Sequence, residues 1–355
     1  MLEWMRRDWD ERAARDAEFY VYTRGQTAGE GDFEESGRVN YRQLVRPYLP
    51  ILLNGRPAKA CRVVEIGCGV GRMTRWFAED FLQVHGLDIS AEMVERARLR
   101  LRGFPNVALH MGSGHDLQGL PDGGFELVFS YIVFQHIPSR EVIESYVRES
   151  ARVLRPGGFF KFQVQGDLSA EYRRQKRDTW MGETFSAAEV DQVLPAAGFS
   201  RIASEGAGTQ YFLITARKGS AFDRPGIQPY IYPGETWAEE QLLEGWREPV
   251  GASWRCVWAR SRTLLAAPPG ERRRLFAGLY FRPAEPFEPL DFSIAVNDVI
   301  LERAHIVKGG DYDWNLGVPA GVLVGGDARV TMVIDPPPDP SIGPAIRCLG
   351  TYAES

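Results

Sequence analysis

Apolar side chains recur at steps of three and four residues near the start of the chain, at Leu2, Met5, Trp9, Ala13, Ala17 and Tyr20. This spacing gathers them on one face of an α-helix and predicts a helix over residues 2–20. The Gly- and Glu-rich stretch that follows is typical of a loop. A second helix is predicted to start near Asn40.

From Arg62 onward, short apolar runs alternate with amphipathic stretches. The runs predict strands and the stretches predict helices, at 62–66, 84–87, 107–110, 126–130 and 159–165 for the strands and at 72–81, 91–101, 139–154 and 186–197 for the helices. Ser186 and Gly198 are residue types that begin and end helices. Alternating strands and helices indicate a parallel sheet with helices on both faces. Two successive strands, at 201–204 and 210–216, predict an antiparallel hairpin that completes the sheet.

The pattern changes after Lys218, because most of the prolines lie from Pro225 onward. Short strand-like runs separated by Pro/Gly turns occur at 253–259, 275–281, 292–296, 322–324 and 330–334. Several short strands with regular turns are typical of a β-sandwich or jelly roll. We therefore predict an N-terminal helical cap (1–40), an α/β domain (41–218), a linker (219–237) and an all-β sandwich domain (238–355).

Composition limits the classes of partner and location. At 44% hydrophobic and 25% charged residues, the chain of 355 residues has the composition of soluble globular domains. A net charge of -5 predicts no surface for nucleic acid. No run approaches the roughly 20 apolar residues of a membrane span, and the N-terminus lacks an apolar leader, so we expect a cytoplasmic protein without a membrane partner. The four cysteines form no C-x-x-C pair, which argues against a zinc site or a disulfide framework.

The clearest local motif is a strand that runs into three alternate glycines, Gly67, Gly69 and Gly71. Glycine lets the chain turn tightly and lets a ligand approach the backbone. An acid, Asp88, ends the next strand about 20 residues on, where a carboxylate can accept hydrogen bonds from both ribose hydroxyls. The position of the third glycine in the dinucleotide fingerprint holds Arg72 instead. Glu65, before the glycines, would repel a pyrophosphate but suits a ligand that carries an ammonium and a sulfonium.

With these motifs in order, residues 62–217 resemble the class I S-adenosylmethionine-dependent methyltransferases. The resemblance implies a Rossmann-like, seven-stranded sheet, S-adenosyl-L-methionine as cofactor and S-adenosyl-L-homocysteine as product. In the family, the segment matching 110–116 lines the adenine, and the strand matching 125–130 ends under the methionine moiety. The residues that the resemblance implies for cofactor binding are Tyr20, Glu65, Gly67, Cys68, Gly69, Arg72, Asp88, Ile89, Met93, Ser113, Gly114, His115 and Ser130.

Three of these assignments carry an alternative. The family often has Asp or Asn where this chain has Ser113, so adenine recognition is expected to rest on backbone groups and on His115 or Asp116. Tyr20, like Tyr22, resembles aromatic residues that cap the cofactor in related enzymes, but equally fits the packed face of an amphipathic helix. Arg72 is placed to pair with the methionine carboxylate, or it serves a surface role.

Catalysis requires a nucleophile in line with the sulfonium methyl group, and a base where the acceptor must lose a proton. His136 follows the fourth strand, whose C-terminal edge faces the cofactor's reactive end in such sheets. We predict His136 as general base and Gln135 as its orienting group; the alternative is a purely structural histidine. The histidines and carboxylates show no spacing typical of metal ligands, which predicts metal-independent transfer.

The predicted activity is methyl transfer to an oxygen or nitrogen nucleophile of a small molecule, such as a natural product or a sugar. The β-domain would cover the active site or form a homodimer. In one alternative, its tryptophans bind sugar rings and direct the enzyme to a surface glycan. In another, the chain is a non-catalytic scaffold that binds S-adenosylmethionine.

Overall fold

The computed structural model describes residues 1–22, 30–166, 178–219, 227–250, 254–267, 272–281, 287–319, 321–323, 325–336 and 344–353. The chain divides into two compact units. The first contains Met1–Arg46 and Arg56–Ala221, and the second contains Pro47–Gly55 and Phe222–Ser355. The described residues include seven α-helices: α1 (Leu2–Val21), α2 (Glu30–Leu44), α3 (Leu49–Leu52), α4 (Thr74–Asp80), α5 (Ala91–Arg100), α6 (Arg140–Val153) and α7 (Ala187–Ala196).

The first unit is built on one mixed sheet. Its strands are β1 (Arg62–Ile66), β2 (Gln83–Asp88), β3 (Val107–Met111), β4 (Phe125–Ser130), β5 (Leu154–Gly166), β6 (Thr184–Phe185), β7 (Phe199–Glu205) and β8 (Phe212–Lys218). Seven of them follow the order β3-β2-β1-β4-β5-β8-β7, and the short β6 pairs with β5. Strands β1 to β5 run parallel, and β8 is antiparallel to both β5 and β7. The predicted seven-stranded sheet and its closing hairpin are confirmed.

Helices cover both faces of this sheet, as predicted. Val128 and Phe129 are neighbours on β4, so their side chains point to opposite faces. Val128 belongs to the apolar cluster that includes Ile143 and Val147 of α6. Phe129 instead contacts Phe77 of α4, with 5.3 Å between the ring centroids. The strand is buried along its whole length, as expected for a central strand of a two-sided sheet.

Strand order also creates the site. The chain moves outward from β1 to β2 and β3 on one side, and it returns to β4 and β5 on the other. The carboxyl ends of β1 and β4 therefore lie next to each other where the order reverses. A crevice outside the strand ends at such a switch point is the usual ligand site of an open α/β sheet.

The second helix starts at Glu30 and not near Asn40. The Gly-rich sequence indicated a loop because glycine is a poor helix former. Gly37, however, lies where α2 passes closest to the loop before α4: a Cβ there would sit 2.3 Å from the carbonyl oxygen of Arg72. Glycine is required at this position for close packing, which helix propensity does not reveal. At the other end of that loop, helix α4 begins at Thr74, two residues later than predicted.

Serine side chains begin three of the helices in the first unit. Ser90, Ser139 and Ser186 each accept a hydrogen bond from a backbone N–H in the first turn, of α5, α6 and α7 respectively. Glu189 returns a hydrogen bond to the Ser186 backbone, which completes a capping box. Gly198, after α7, has a φ of 81°, as expected of a helix end. The predicted start and end of α7 are confirmed.

The second unit is all-β, as predicted, and its strands join in one antiparallel sheet. They are β9 (Tyr230–Ile231), β10 (Leu242–Val250), β11 (Trp254–Ala266), β12 (Arg273–Phe281), β13 (Leu290–Val296), β14 (Val299–Ile306), β15 (Gly310–Val318), β16 (Asp327–Asp335) and β17 (Ala345–Ala353). The order is β14-β13-β16-β11-β17-β12-β15, with β10 on β11 and β9 on β17. The end strands β14 and β15 approach each other, so the sheet nearly closes into a barrel.

Several strands of this unit were not predicted from the sequence, including β14 and β15. Both are edge strands whose polar residues interrupt the apolar pattern. In the run predicted as a strand at 322–324, Val322 and Leu323 are not in a strand, and Val324 lies outside the described residues.

The tryptophans of this unit bear on the glycan alternative. Trp314 stacks on Phe292, with centroids 4.7 Å apart, and packs against the core of the unit together with Trp237 and Trp246. The side chains of Trp254 and Trp258 lie outside the described residues. The described tryptophans of this unit are thus half-buried and pack against its core.

A short excursion of the chain, Pro47–Gly55, belongs to this second unit. Leu52 is fully buried, and Tyr48 stacks on Tyr232 with centroids 5.6 Å apart and an interplanar angle of 14°. This division differs from the α/β domain predicted at 41–218, which includes these residues. Within the described part of the chain, no helix combines the length and apolar content needed to cross a membrane.

Candidate functional site

The glycine loop follows β1 at the switch point. Gly67, Gly69 and Gly71 have φ values of 71°, 53° and 85°, a backbone conformation that side chains rarely adopt. The N–H groups of Gly67 and Cys68 donate to the carbonyl of Leu87 at 2.7 and 3.0 Å, which fixes the loop to the end of β2. A Cβ at Gly67 would lie 2.3 Å from Val133, so the loop and the segment after β4 are in close contact.

Asp88 ends β2 beside this loop. Its Oδ2 accepts a hydrogen bond from the N–H of Gly69, and its Oδ1 accepts one from the N–H of Ser90, both at 2.9 Å. Burial raises the pKa of Asp88 to about 6, although these two donors favour the ionised form. Each carboxylate oxygen keeps a further lone pair. Asp88 can therefore accept hydrogen bonds from a pair of hydroxyl groups.

Glu65 is a buried carboxylate near the end of β1. The hydroxyl of Thr74 donates to its Oε2 at 2.6 Å, and Arg72 attracts its charge. Burial outweighs both effects and raises the pKa of Glu65 to about 7. A cationic ligand group would compensate the charge, and Glu65 faces the cavity where such a group could bind.

Arg72 is the matching cation, and only 5% of it is exposed. Its Nη1 donates to Asn40 at 2.7 Å and to Ser36 at 3.3 Å, both on α2, and its guanidinium lies 5.6 Å from the centroid of the Tyr22 ring. Its buried Nε has no hydrogen-bond partner among the described residues. The predicted surface role is thus wrong for Arg72, because α2 covers it. A buried cation with an unused donor fits an anionic ligand group.

Helix α1 forms a wall of the site. Its Asp10 accepts a hydrogen bond from the Ser90 hydroxyl at 2.6 Å, and Ser90 caps α5, so α1 is fixed to the element that follows Asp88. Met5 and Trp9, on the same helix, line the cavity. The apolar face predicted for this helix therefore does more than fill the core.

The helix changes direction before it ends. At Asp16 the backbone is extended (φ −164°, ψ 87°), and Asp16 Oδ1 accepts a hydrogen bond from the N–H of Phe19 at 3.0 Å. The side chain thus caps a second helical segment, as an N-cap residue does. Tyr20 and Val21 follow the break and line the cavity.

These elements enclose a cavity of about 940 Å³, measured out to its open mouth. The sequence-predicted site residues that line it are Tyr20, Glu65, Gly67, Cys68, Gly69, Arg72, Asp88, Ile89, Met93, Gly114 and His136. Cys68 and Met93 are buried in its wall.

Four predicted site residues do not line the cavity: Ser113, His115, Ser130 and Gln135. Ser130 is buried, and its hydroxyl donates to the carbonyl of Ile66 at 3.2 Å, so it ties β4 to β1. Ser113 accepts hydrogen bonds from the N–H groups of His115 and Asp116, which organises the turn after β3. The imidazole of His115 lies 3.5 Å from the Asp116 carboxylate.

The cavity also contains Gly112, from the segment 110–116 expected to line the adenine. Its other lining residues were not predicted as site residues: Met5, Trp9, Val21, Ile66, Met73, Leu87, Tyr131, Ile132, Val133, Ile137 and Tyr146. For Tyr131 to Val133 a signal existed, because they directly follow the predicted fourth strand. Met5 and Trp9 read as core residues of an amphipathic helix. Tyr146 lies in the middle of α6, and nothing in its sequence context distinguishes it.

His136 lies in a short 3₁₀ turn after β4, is 8% exposed and faces the cavity. Its Nδ1 is 2.9 Å from the carbonyl oxygen of Trp180, which only accepts, so the ring carries its proton on Nδ1. Its Nε2 is 3.1 Å from the amide nitrogen of Gln135 and accepts from it. Burial lowers the pKa of His136 to about 4, so the ring is neutral at pH 7. The ring of Trp9 meets it edge-on at 5.5 Å.

Gly182 allows the Trp180 segment to reach the histidine. The N–H of Gly182 donates to the Gln135 carbonyl at 2.8 Å, and the N–H of Glu183 donates to the Ile137 carbonyl at 2.9 Å. A Cβ at Gly182 would lie 2.6 Å from the backbone of Ile137. A side chain at position 182 would therefore displace the Trp180 carbonyl from His136.

Among the described residues, no group of three or more His, Cys, Asp and Glu side chains could hold a metal ion. The groups that face the cavity instead fit an amino acid joined to a nucleoside. Glu65 suits an ammonium, the free Nε of Arg72 suits a carboxylate, and Asp88 suits a ribose diol. All three side chains are held by hydrogen bonds before any ligand binds.

Comparison with known proteins agrees with this donor set. Residues 64–162 match a family model described as a methyltransferase domain. The chain is 29% identical over 184 residues to a probable S-adenosylmethionine-dependent methyltransferase of Mycolicibacterium smegmatis. The matched stretch covers 51% of this chain and 68% of that protein. A demethylmenaquinone methyltransferase of Tropheryma whipplei is 33% identical over 96 residues, which is 27% of this chain and 38% of the relative.

Among solved structures, a SAM dependent methyltransferase from Aquifex aeolicus is 18% identical with a TM-score of 0.40, and the match covers 54% of this chain and all of that one. The predicted methyltransferase domain and its cofactor, S-adenosylmethionine, are confirmed. The family model lies wholly within the first unit.

Proposed function

We propose that this chain transfers the methyl group of S-adenosylmethionine to an oxygen or nitrogen atom of a small acceptor held against the segment after β4. The proposal rests on the positions of the charged side chains in the cavity. Glu65, Arg72 and Asp88 are the charged side chains that line it, and each suits one part of the cofactor. When bound, S-adenosylmethionine supplies a methyl group on a positively charged sulfur.

The remaining lining supports a compact acceptor with a flat apolar surface. Trp9, Tyr20 and Tyr131 are aromatic, and Ile132 and Val133 are aliphatic. Aromatic walls favour a ring that can stack or meet them edge-on. An apolar wall also limits access of water, which would otherwise compete with the acceptor for the methyl group.

For His136 we propose the role of general base predicted from the sequence. Two features of the ligand-free site limit this role. The lone pair of Nε2 accepts a hydrogen bond from Gln135, so this bond must open or be shared before Nε2 can take a proton. A pKa near 4 makes the neutral ring a weak base in the ligand-free site. A catalytic hydrogen bond formed only with the acceptor bound would change both conditions.

The test is an acceptor panel: phenols, hydroquinones, aromatic amines, aliphatic amines, carboxylic acids and free sugars, each with S-adenosylmethionine. Release of S-adenosylhomocysteine is measured by mass spectrometry. We expect release with a neutral phenol, hydroquinone or amine, and none from the Asp88→Asn variant, which loses its charged contact to the ribose. Release only with a polysaccharide would contradict the small-acceptor proposal. Binding of S-adenosylhomocysteine without turnover of any acceptor would mark the chain as a scaffold.

A further inference from the structure

One residue of the cavity wall has a strained backbone. Ile132 directly follows β4 and Tyr131, lines the cavity and has a φ of 57°. The left-handed region is unfavourable for a residue branched at Cβ, and it persists only where the surrounding structure enforces it. Such outliers cluster at functional sites. Some contact must therefore hold Ile132 in place.

That contact comes from Gln163, a fully buried residue of β5. Its Oε1 accepts a hydrogen bond from the N–H of Ile132 at 2.9 Å. Its Nε2 lies within 3.0 Å of three acceptors: the carbonyl oxygens of Val164 and Gln210 and the side-chain oxygen of Gln135. One side chain thus joins β5, the segment after β4 and the turn between β7 and β8.

The hydrogen bonds continue in one direction from Ile132 to Trp180. The backbone N–H of Ile132 can only donate, so the oxygen of Gln163 must face it and its amino group must face Gln135. The amino group of Gln135 then faces Nε2 of His136. At the far end, the Trp180 carbonyl can only accept, which requires the proton on Nδ1 of His136. Both backbone ends dictate the same orientation.

We propose that Gln163 is a positioning residue for methyl transfer: it holds Ile132 in its strained conformation and orients Gln135 so that its amino group donates to Nε2 of His136. Its side chain does not line the cavity, so it acts through the residues it holds. The catalytic consequence rests on the proposed function, whereas the hydrogen-bonded chain itself can be measured without an acceptor.

Two variants separate the two effects. Gln163→Met keeps the length and volume of the side chain and removes every hydrogen bond. Gln135→Met removes only the branch that reaches His136. As a matched control, Gln241→Met removes another buried glutamine, whose side chain bonds the backbone of Gln228 and Leu264 in the second unit.

The first measurement is amide hydrogen exchange of residues 131–137 in the presence of S-adenosylhomocysteine. We expect exchange at Ile132 to rise by about tenfold or more in Gln163→Met, because its hydrogen bond is lost. It should stay near the wild-type rate in Gln135→Met and Gln241→Met. Equal exchange in all four proteins would overturn the positioning of Ile132. Calorimetric binding of S-adenosylhomocysteine identifies variants that are folded.

The second measurement is the tautomer of His136 by ¹⁵N NMR, which needs no variant to be decisive. The wild-type ring should carry its proton on Nδ1, and a proton on Nε2 would overturn the proposed chain of hydrogen bonds. Both methionine variants at 163 and 135 should keep the proton on Nδ1, which the Trp180 carbonyl holds, but should shift the Nε2 resonance because the hydrogen bond from Gln135 is lost or weakened. An unchanged Nε2 resonance in both variants would overturn the link through Gln135. With an acceptor from the panel, Gln163→Met should lower kcat by about 10- to 100-fold with the KM for S-adenosylmethionine within about twofold. An unchanged kcat would show that the wall needs no such support.

Discussion

Buried ionisable side chains define the site at the scale of single residues. Glu65 and Asp88 both have raised pKa values because the cavity wall excludes water around them, and neither forms an ion pair at salt-bridge distance among the described residues. The ionised carboxylates destabilise the ligand-free protein, and they are available to a cationic or hydroxyl-bearing ligand. At Glu65, the negative charge therefore lowers the stability of the ligand-free protein but favours cofactor binding.

Replacing Glu65 by Gln should stabilise the ligand-free protein and weaken cofactor binding. The pKa of Glu65 is about 7 in the folded state and about 4.5 when unfolded, so its contribution to stability is present below pH 4.5 and is lost as pH rises through 7. The advantage of Glu65→Gln should thus grow over this window to the order of 3 kcal/mol. Loss of a charged hydrogen bond should weaken S-adenosylmethionine binding by about 10- to 100-fold.

Denaturant unfolding at several pH values and calorimetry measure these two effects. Glu79→Gln, at an exposed position of α4, is the control. A Glu65→Gln variant that gains no stability between pH 5 and 8 would mean that the carboxylate is already compensated in the ligand-free protein.

His136→Ala should lower kcat while the affinity for S-adenosylhomocysteine changes by less than about twofold, because Glu65, Arg72 and Asp88, the side chains proposed to bind the cofactor, lie on other elements. If neutral His136 is the base, the wild-type rate should fall only as pH drops toward 4, where burial places its pKa. The pH profile of kcat/KM with an acceptor from the panel tests this. Turnover of His136→Ala at the wild-type rate would rule out the base role.

At the scale of elements, the break in α1 determines which side chains reach the cavity. A straight helix from Leu2 to Val21 would continue along one axis, whereas the extended residue Asp16 redirects the last turn. Asp16 is an exposed residue whose structural contribution is the cap on Phe19. The α1 wall thus depends on one short side chain.

Asp16→Ala should weaken S-adenosylhomocysteine binding by about three- to tenfold, because loss of an N-cap costs about 1 kcal/mol and alanine favours a continuous helix. Tyr20 and Val21 would then leave the cavity wall. Asp16→Asn should bind like wild type, since Asn caps a helix as well as Asp does. Calorimetry compares the two variants, and equal affinities would show that the break persists without its cap.

At the scale of the whole molecule, sequence order and structural units do not coincide. Pro47–Gly55 leaves the first unit, packs in the second and returns before β1. Ile51, Leu52 and Leu53 are as deeply buried as core residues of either unit. The second unit therefore depends on a segment that lies far from it in the sequence.

Leu52→Ala should destabilise the second unit by about 2–5 kcal/mol through the cavity it leaves. Two thermal transitions should be distinguishable, because S-adenosylhomocysteine stabilises only the unit that binds it. We expect Leu52→Ala to lower the transition that the ligand does not raise. Leu99→Ala, at an exposed position of α5, is the control. A selective drop in the ligand-sensitive transition would assign Pro47–Gly55 energetically to the first unit.

The sequence by itself determined the features that short stretches encode. The sheet of the first unit follows from its apolar runs, since its central strands β1, β4 and β5 are buried over most of their length. The glycine loop was predicted from three alternate glycines after a strand, and Asp88 from its place at the end of the next strand. Both signals lie within about 25 residues of sequence. Ser186 and Gly198 mark the ends of α7 because helix capping is local.

The tertiary structure alone decided what depends on distant contacts. Gly37 permits α2 to pass the Arg72 backbone, and Gln163 reaches Ile132 across 31 positions of sequence. The proton position of His136 is set by Trp180, 44 residues away. Such contacts arise from the packing of complete elements, and no local propensity or periodicity encodes them. The glycine loop and Asp88 are therefore readable in the sequence, whereas the conformation of the segment after β4 is decided only in the folded chain.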